Sequence, residues 1–175
     1  MYEGQWLTVH EAVFENTRGE QYVWETVTRK KEKATVGVVI IAQLKQSKRF
    51  ILIKQYRPAI EGYLLSLPAG LGFDEPEHAL VELKQETGYT GRIAQISPVL
   101  KTGASLINDS ARIIHIEVDE HAPENKNPVQ DLEPAEDIEV VLATKEEGTA
   151  LIAESVDKGI HIAANLWYIF GLSKL

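Results

Sequence analysis

Over the first third of the chain, apolar and polar positions follow one another in short extended runs, and the pattern predicts strands. Trp6 to Phe14 alternates loosely, Thr17-Arg18-Gly19-Glu20 has the composition of a turn, and Gln21 to Arg29 continues extended, so the two runs form a hairpin. Ala34 to Leu44, with the core Val36-Gly37-Val38-Val39-Ile40-Ile41, suits a strand covered on both faces. Phe50 to Tyr56 is a further strand stopped by Pro58, and Gly62 to Leu67 is short and extended, ending at Pro68-Ala69-Gly70.

The period then changes. From Asp74 to Thr87 the residues Ala79, Leu80, Leu83 and Thr87 recur at helical spacing, with Asp74 as N-cap and Gly88 as the left-handed residue that ends the helix. Strands are expected at Arg92 to Leu100, Arg112 to Val118 and Ile138 to Ala143, and two helices at Lys145 to Val156 and Ile160 to Leu172. Asp119 to Pro134, with three prolines and several acids, reads as a mobile loop. Strands with one central and two closing helices predict an α/β class, a mixed sheet sandwiched between helices.

Composition narrows the chemistry. The 175 residues suit one globular unit. With no cysteine in the chain, disulfides, thiolate metal sites and cysteine nucleophiles are excluded, so any metal must be held by oxygen or imidazole. The net charge of −8 argues against a duplex nucleic-acid partner, though not against a small phosphorylated ligand met by a few arginines or by cations on carboxylates. The longest apolar run, Val36 to Ala42, is too short to span a membrane, and Met1-Tyr2-Glu3-Gly4 does not open a secretory signal, so a cytoplasmic protein with no membrane partner is expected.

The central helix carries the candidate chemistry. Glu82 and Glu86, four residues apart, project from one helical face, with Gln85 beside them. Hard divalent cations want several carboxylate or carbonyl oxygens, and a helix entered from a Pro-Ala-Gly turn can combine the two. Two solvated glutamates on a polar helix face are the plainer alternative at this point.

Leu67-Pro68-Ala69-Gly70-Leu71 and Glu82-Leu83-Lys84-Gln85-Glu86-Thr87-Gly88-Tyr89 resemble the two ends of a Nudix box, G-x5-E-x7-R-E-U-x-E-E-x-G-U. Trp24-Glu25-Thr26-Val27-Thr28-Arg29 and Gln55-Tyr56-Arg57-Pro58 resemble, in order and context, the ADP-ribose (ADP-sugar) pyrophosphatase branch of that family, and the similarity covers most of the chain. The resemblance implies a Nudix fold, with residues 1–33 as a β-hairpin and dimer-swap region and 34–175 as the Nudix domain. It implies a homodimer in which Trp24 stacks on one face of an adenine and Trp6 of the other protomer on its second face. Glu25, Arg29 and Arg57 then match positions contacting base, diphosphate and ribose. Magnesium, with manganese as the alternative ion, would be held by Glu82, Glu86, Gln85 and the Ala69 carbonyl, and Glu136 matches the later glutamate that activates water, with Glu139 as its neighbour.

The departures from the box matter equally. The stretch from Gly70 to Gly88 is three residues shorter than the pattern, which removes the segment bearing the first glutamate. Val81 stands where the box has arginine, and Gln85 where it has the first glutamate of the pair. An aliphatic side chain cannot orient carboxylates by ion pairing, and each lost anion weakens cation binding. His78, four residues before Glu82, lies on the same stripe, where a surface role is the simpler reading. Thr102 to Asp109 falls where the family has a substrate loop, with a loose match. The expected function is magnesium-assisted hydrolysis of an ADP-sugar diphosphate to a nucleoside monophosphate and a sugar phosphate. The rivals are an impaired module that binds a nucleotide-sugar as a sensor, and a structural homodimer.

Overall fold

The computed structural model describes residues 2–30, 36–72 and 75–172. β1 (Tyr2–Glu3), β2 (Leu7–Glu15) and β3 (Gln21–Arg29) form an antiparallel sheet of their own. The β2–β3 turn closes because Asn16 accepts from the backbone N–H groups of Arg18 and Glu20, while Gly19 takes φ +78° without a side-chain penalty.

The second sheet contains β4 (Val36–Leu44), β5 (Phe50–Arg57), β6 (Gly62–Ser66), β7 (Ala69–Gly72), β8 (Arg92–Ile96), β9 (Leu100–Lys101), β10 (Ser110–Val118), β11 (Ile138–Ala143) and β12 (His161–Ile162). Its order is β12-β6-β5-β4-β10-β8, with β11 on β5, β7 on β4 and β9 on β10. The parallel β4–β10 pair runs from Val36↔Ser110 to Leu44↔Val118 at its centre; β4 is apolar almost throughout, as a doubly covered strand requires, whereas β10 alternates buried Ala111, Ile114, Ile116 and Val118 with polar Arg112, His115 and Glu117. On one face Val38, Ile40, Ala42, Leu44, Ile114 and Ile116 bury Ala79 and Leu83 of α1 (His78–Thr87). On the other, Leu52, Leu65 and Ala143 bury Ile152 of α2 (Lys145–Asp157) with Leu166 and Phe170. The sheet is thus sandwiched between helices.

Several boundaries differ from expectation. The central helix begins at His78 rather than Asp74, which lies outside the described residues. Pro76 supplies no N–H, and the approach is tightened instead by His78 N–H to Glu75 and Ala79 N–H to Pro76. Gly88 ends the helix at φ +78°, as predicted. The expected strand Arg92 to Leu100 is interrupted at Pro98. The last helix is not continuous: His161–Ile162 pairs in parallel with Leu64–Leu65, and only then do α3 (Ala164–Leu166) and a wider π turn (Trp167–Gly171) follow.

The segment expected to be mobile is pinned along its length. Glu120 accepts from the Gln46 and Ser47 N–H groups, Asn125 ties to Thr90 and the Asp119 carbonyl, and Gln130 donates to the carbonyls of Glu86 and Ile138. It is irregular because its hydrogen bonds go to other elements.

Candidate active site

The site is built where α1 lies across β7. Glu86 is almost fully buried, 3% exposed, and its Oε2 accepts from the Ala69 N–H at 3.0 Å. One turn earlier, Glu82 reaches over Gly70, and a Cβ at that position would collide with its carboxyl end. His78 Nε2 lies 2.9 Å from Glu82 Oε1 and fixes it from the N-terminal side. The Pro-Ala-Gly segment, expected as a turn, instead opens strand β7 because Ala69 and Gly70 pair with Val39 and Val38, and it serves two purposes: an N–H for one carboxylate and bare backbone for the other.

The loop before β11 adds acids from the far side. Asp131 N–H donates to the Gln85 carbonyl, Gln130 Nε2 donates to that of Glu86, and Glu136 folds back to accept from the Glu133 N–H at 2.9 Å. Arg29 at the end of β3 and Arg57 at the end of β5 complete a cavity of about 640 Å³, shared with Ala69, Gly70, Leu71, Glu82, Glu133 and Glu136.

Electrostatics follow from that crowding. Burial pushes the Glu86 carboxyl up to about 8; the Ala69 N–H pulls it down, Glu82 and Glu136 push it higher, and Arg57 offsets them. Burial also raises Glu82, partly countered by the His78 charge and hydrogen bond, with Glu136 and Glu133 adding to the rise. Two guanidiniums thus share the cavity with three carboxyl groups, and the buried Glu86 next to it favours its proton near neutral pH. Such a site gains from a divalent cation and cannot accept a diphosphate well without one.

The donor set fits a hard cation of magnesium type. Glu82, Glu86 and the backbone at Ala69 present oxygen chemistry, yet among the described residues no three acid or imidazole side chains already gather as a metal centre. Magnesium commonly takes one or two carboxylates and completes its shell with water and substrate phosphate oxygens, so this donor set suffices.

Of the residues singled out in the sequence, Arg29, Arg57, Ala69, Glu82 and Glu136 meet in the cavity, and Glu86 lies directly behind Ala69. Gln85 is not among the lining residues, and Glu139 pairs with Lys54 instead. Trp24 is half exposed and donates from Nε1 to the Ser105 carbonyl at 2.8 Å. Trp6 is 68% exposed and its carbonyl accepts from Lys30 N–H, whereas Trp24 pairs with Ala12. Six ladder positions separate the two indoles, about 20 Å at strand rise, so one chain cannot sandwich a base between them. Strand alternation puts Glu25 on the face opposite Trp24, together with Arg29.

Sequence reasoning does not single out Glu133 or Asp109. Glu133 is legible only as one acid among several, while its nearness to Glu136 comes from the tight turn at Pro134-Ala135. Asp109 holds Arg29 across eighty positions of chain, which no local pattern reveals.

A mixed sheet between helices, with paired glutamates of the central helix set against the Ala69-Gly70 start of β7, is the arrangement of a Nudix domain, and the chain belongs to the Nudix hydrolase family. No family profile matches the chain. A Caenorhabditis elegans protein named as a nudix hydrolase is 39% identical over 162 residues, covering 87% of this chain and 71% of that protein. The mouse ADP-sugar pyrophosphatase is 31% identical, over 98% of this chain and 82% of its own length. The yeast ADP-ribose pyrophosphatase is 33% identical, over 77% of this chain and 62% of its own. Among solved structures, an ADP compounds hydrolase superposes with a TM-score of 0.66 at 19% identity, covering 87% of this chain and 78% of that one, and supports the fold.

Proposed function

We propose that this protein hydrolyses the diphosphate of an ADP-sugar such as ADP-ribose, giving a nucleoside monophosphate and a sugar phosphate. The observation that carries the reading is the meeting of Arg29 and Arg57 with Glu82, Glu133 and Glu136 in one cavity beside Ala69-Gly70. The names of the mouse and yeast relatives support the substrate class.

Arg29 and Arg57 supply planar N–H donors on one side of the cavity, suited to non-bridging phosphate oxygens. Glu82 and Glu86, with the Ala69 carbonyl, would hold magnesium, or manganese in its place; a bound divalent ion supplies charge neutralisation and polarises the phosphoryl oxygens. Glu136 is the candidate base. It takes a proton from water as the water oxygen forms a bond to one phosphorus, and the bond from that phosphorus to the bridging oxygen breaks, the bridging oxygen leaving with the electron pair on the other phosphate. The same reading includes a cytoplasmic homodimer with residues 1–33 as its dimer-swap region, in which Trp24 stays on its own chain beside Ser105 and Trp6 of the other protomer joins it on adenine. Exposed Val13, Val23 and Tyr22 on that sheet support a covered surface there.

A second reading, a module that binds the nucleotide-sugar with little turnover, is favoured by one observation: Val81, at the place of the box arginine, is half exposed and has no charge with which to orient a carboxylate. Chromatographic detection of AMP from ADP-ribose with magnesium decides between them. Product at many turnovers per protein is expected; binding by calorimetry with no AMP would establish the second reading.

A further inference from the structure

Asp109, the residue before β10, grips Arg29 along one edge. Arg29 Nε donates to Oδ1 at 3.1 Å and Oδ2 at 3.0 Å, and Nη2 donates to Oδ2 at 2.9 Å. Among the described residues nothing engages Nη1, and the same guanidinium lines the cavity with Arg57. The pair leaves one edge of the fork committed and the other available to an anion.

The loop that carries Asp109 holds β3 at two further points. Trp24 Nε1 donates to the Ser105 carbonyl, and Val27 N–H donates to that of Leu106, both at 2.8 Å. The loop is itself wound tightly, since the Leu106 and Ile107 N–H groups both donate to the Gly103 carbonyl. Indole and guanidinium are therefore set against one short turn, and Asp109 fixes the end nearest the hydrolytic carboxylates.

We infer that Asp109 is a positioning residue for diphosphate recognition: it holds Arg29 with its free edge toward the phosphates without touching the reacting atoms. The inference rests on the proposed ADP-sugar substrate. A long cationic side chain loses rotamer freedom on binding, and a fork already held in place has less to lose. The opposing physical effect is equally definite. A carboxylate near a diphosphate repels it, so if Asp109 merely occupied Arg29 in the free protein, removing its charge would tighten binding.

The experiment is calorimetric titration with α,β-methylene ADP-ribose, whose bridging carbon blocks hydrolysis, in the presence of magnesium, alongside steady-state hydrolysis of ADP-ribose. Asp109→Asn and Asp109→Ala should weaken analogue binding about tenfold, as expected for a charge-assisted pair, with KM raised and kcat held. Asp109→Glu should recover most of the loss. In an Arg29→Ala background, adding Asp109→Ala should cost nothing further, which a merely structural role in the loop would not produce. Unchanged or tighter binding by Asp109→Asn overturns the inference, as does a full further loss in the Arg29→Ala background. A wild-type protein that neither binds the analogue nor hydrolyses ADP-ribose overturns the functional reading itself, and this inference with it.

Discussion

The carboxyl end of Glu82 occupies the space that a side chain at Gly70 would need. Gly70 is ordinary strand backbone in β7 and does not take a positive φ, so its lack of a side chain is used for close approach and not for a turn. Gly70→Ala should leave the fold intact, because the atoms in the way are the far end of a flexible side chain, but it should push Glu82 out of the cavity. Displacement by about 1 Å can cost on the order of a hundredfold in rate. Steady-state hydrolysis with magnesium, beside a thermal melt, checks this: kcat/KM should collapse while the unfolding midpoint moves little.

His78 supplies to Glu82 what Val81 cannot. In the box an arginine at position 81 would orient ligand carboxylates; here the imidazole one turn earlier donates to Glu82 Oε1. His78→Ala frees that carboxylate and should lower kcat/KM about tenfold, the size of effect known for lost orienting partners of metal ligands. His78→Gln, which keeps an N–H donor of comparable reach, should recover part of it. Manganese titration followed by electron paramagnetic resonance, without substrate, should show the same order of affinities.

Glu86 makes the ion-free protein less stable as pH rises. Its carboxyl is raised from the ordinary 4.5 to about 8 in the folded chain, so the folded state keeps a proton that the unfolded state releases. The stabilising contribution is full below about 4.5 and drains away as pH climbs to 8. Glu86→Gln keeps an oxygen for the Ala69 N–H and needs no proton. In EDTA it should match wild type near pH 5 and exceed it by a few kcal/mol at pH 8, since each tenfold difference in proton affinity between the folded and unfolded chain is worth about 1.4 kcal/mol. Urea unfolding at the two pH values measures this, and a parallel pH dependence in the two proteins would refute it. Activity of the variant should be abolished.

How much is legible in the sequence divides along physical lines. The β4 and β5 runs, α1 from His78 onward and the Gly88 stop are readable because they depend on local periodicity and one backbone conformation. The Glu82–Glu86 face is readable for the same reason. The last helix reads wrongly at its start because Ile162 continues the helical spacing of Leu166, Ile169 and Phe170, whereas with Ile160 it fits a strand, and the distant edge of β6 makes the choice. The start of α1 is misplaced in the pattern because Pro76 overrides the polar residues before it. The Arg29–Asp109 fork and the pinning of Gln130 under α1 are contacts between separated segments, which no window along the chain contains.

Gly148 tests the second core. It lies in α2 where a Cβ would strike the Phe170 ring, itself packed edge-on to Phe50 at 5.4 Å between centroids. Alanine in a helix interior is otherwise favoured over glycine by about 1 kcal/mol. Here the ring cannot retreat into a filled core, and overpacking of this kind costs about 1–3 kcal/mol. Gly148→Ala should therefore lower the unfolding free energy despite its better propensity; a stabilised variant would show that the π turn shifts freely.

Trp6 and Trp24 stand too far apart in one chain to enclose a base, so their joint use demands two chains. In the proposed homodimer Trp24 stays on its own chain's Ser105, and each site takes Trp24 from one protomer and Trp6 from the other. Trp6→Ala alone and Trp24→Ala alone should each weaken analogue binding by about 1–3 kcal/mol, the usual worth of one base stack. Refolding the two variants together gives heterodimers in which one site carries both substitutions and the other carries neither. Those heterodimers should bind half an equivalent of analogue at wild-type affinity. If each site instead used both tryptophans of a single chain, every site would stay defective and no high-affinity fraction would appear. Light scattering on the wild type should give twice the chain mass, and a monomer would remove the shared stack altogether.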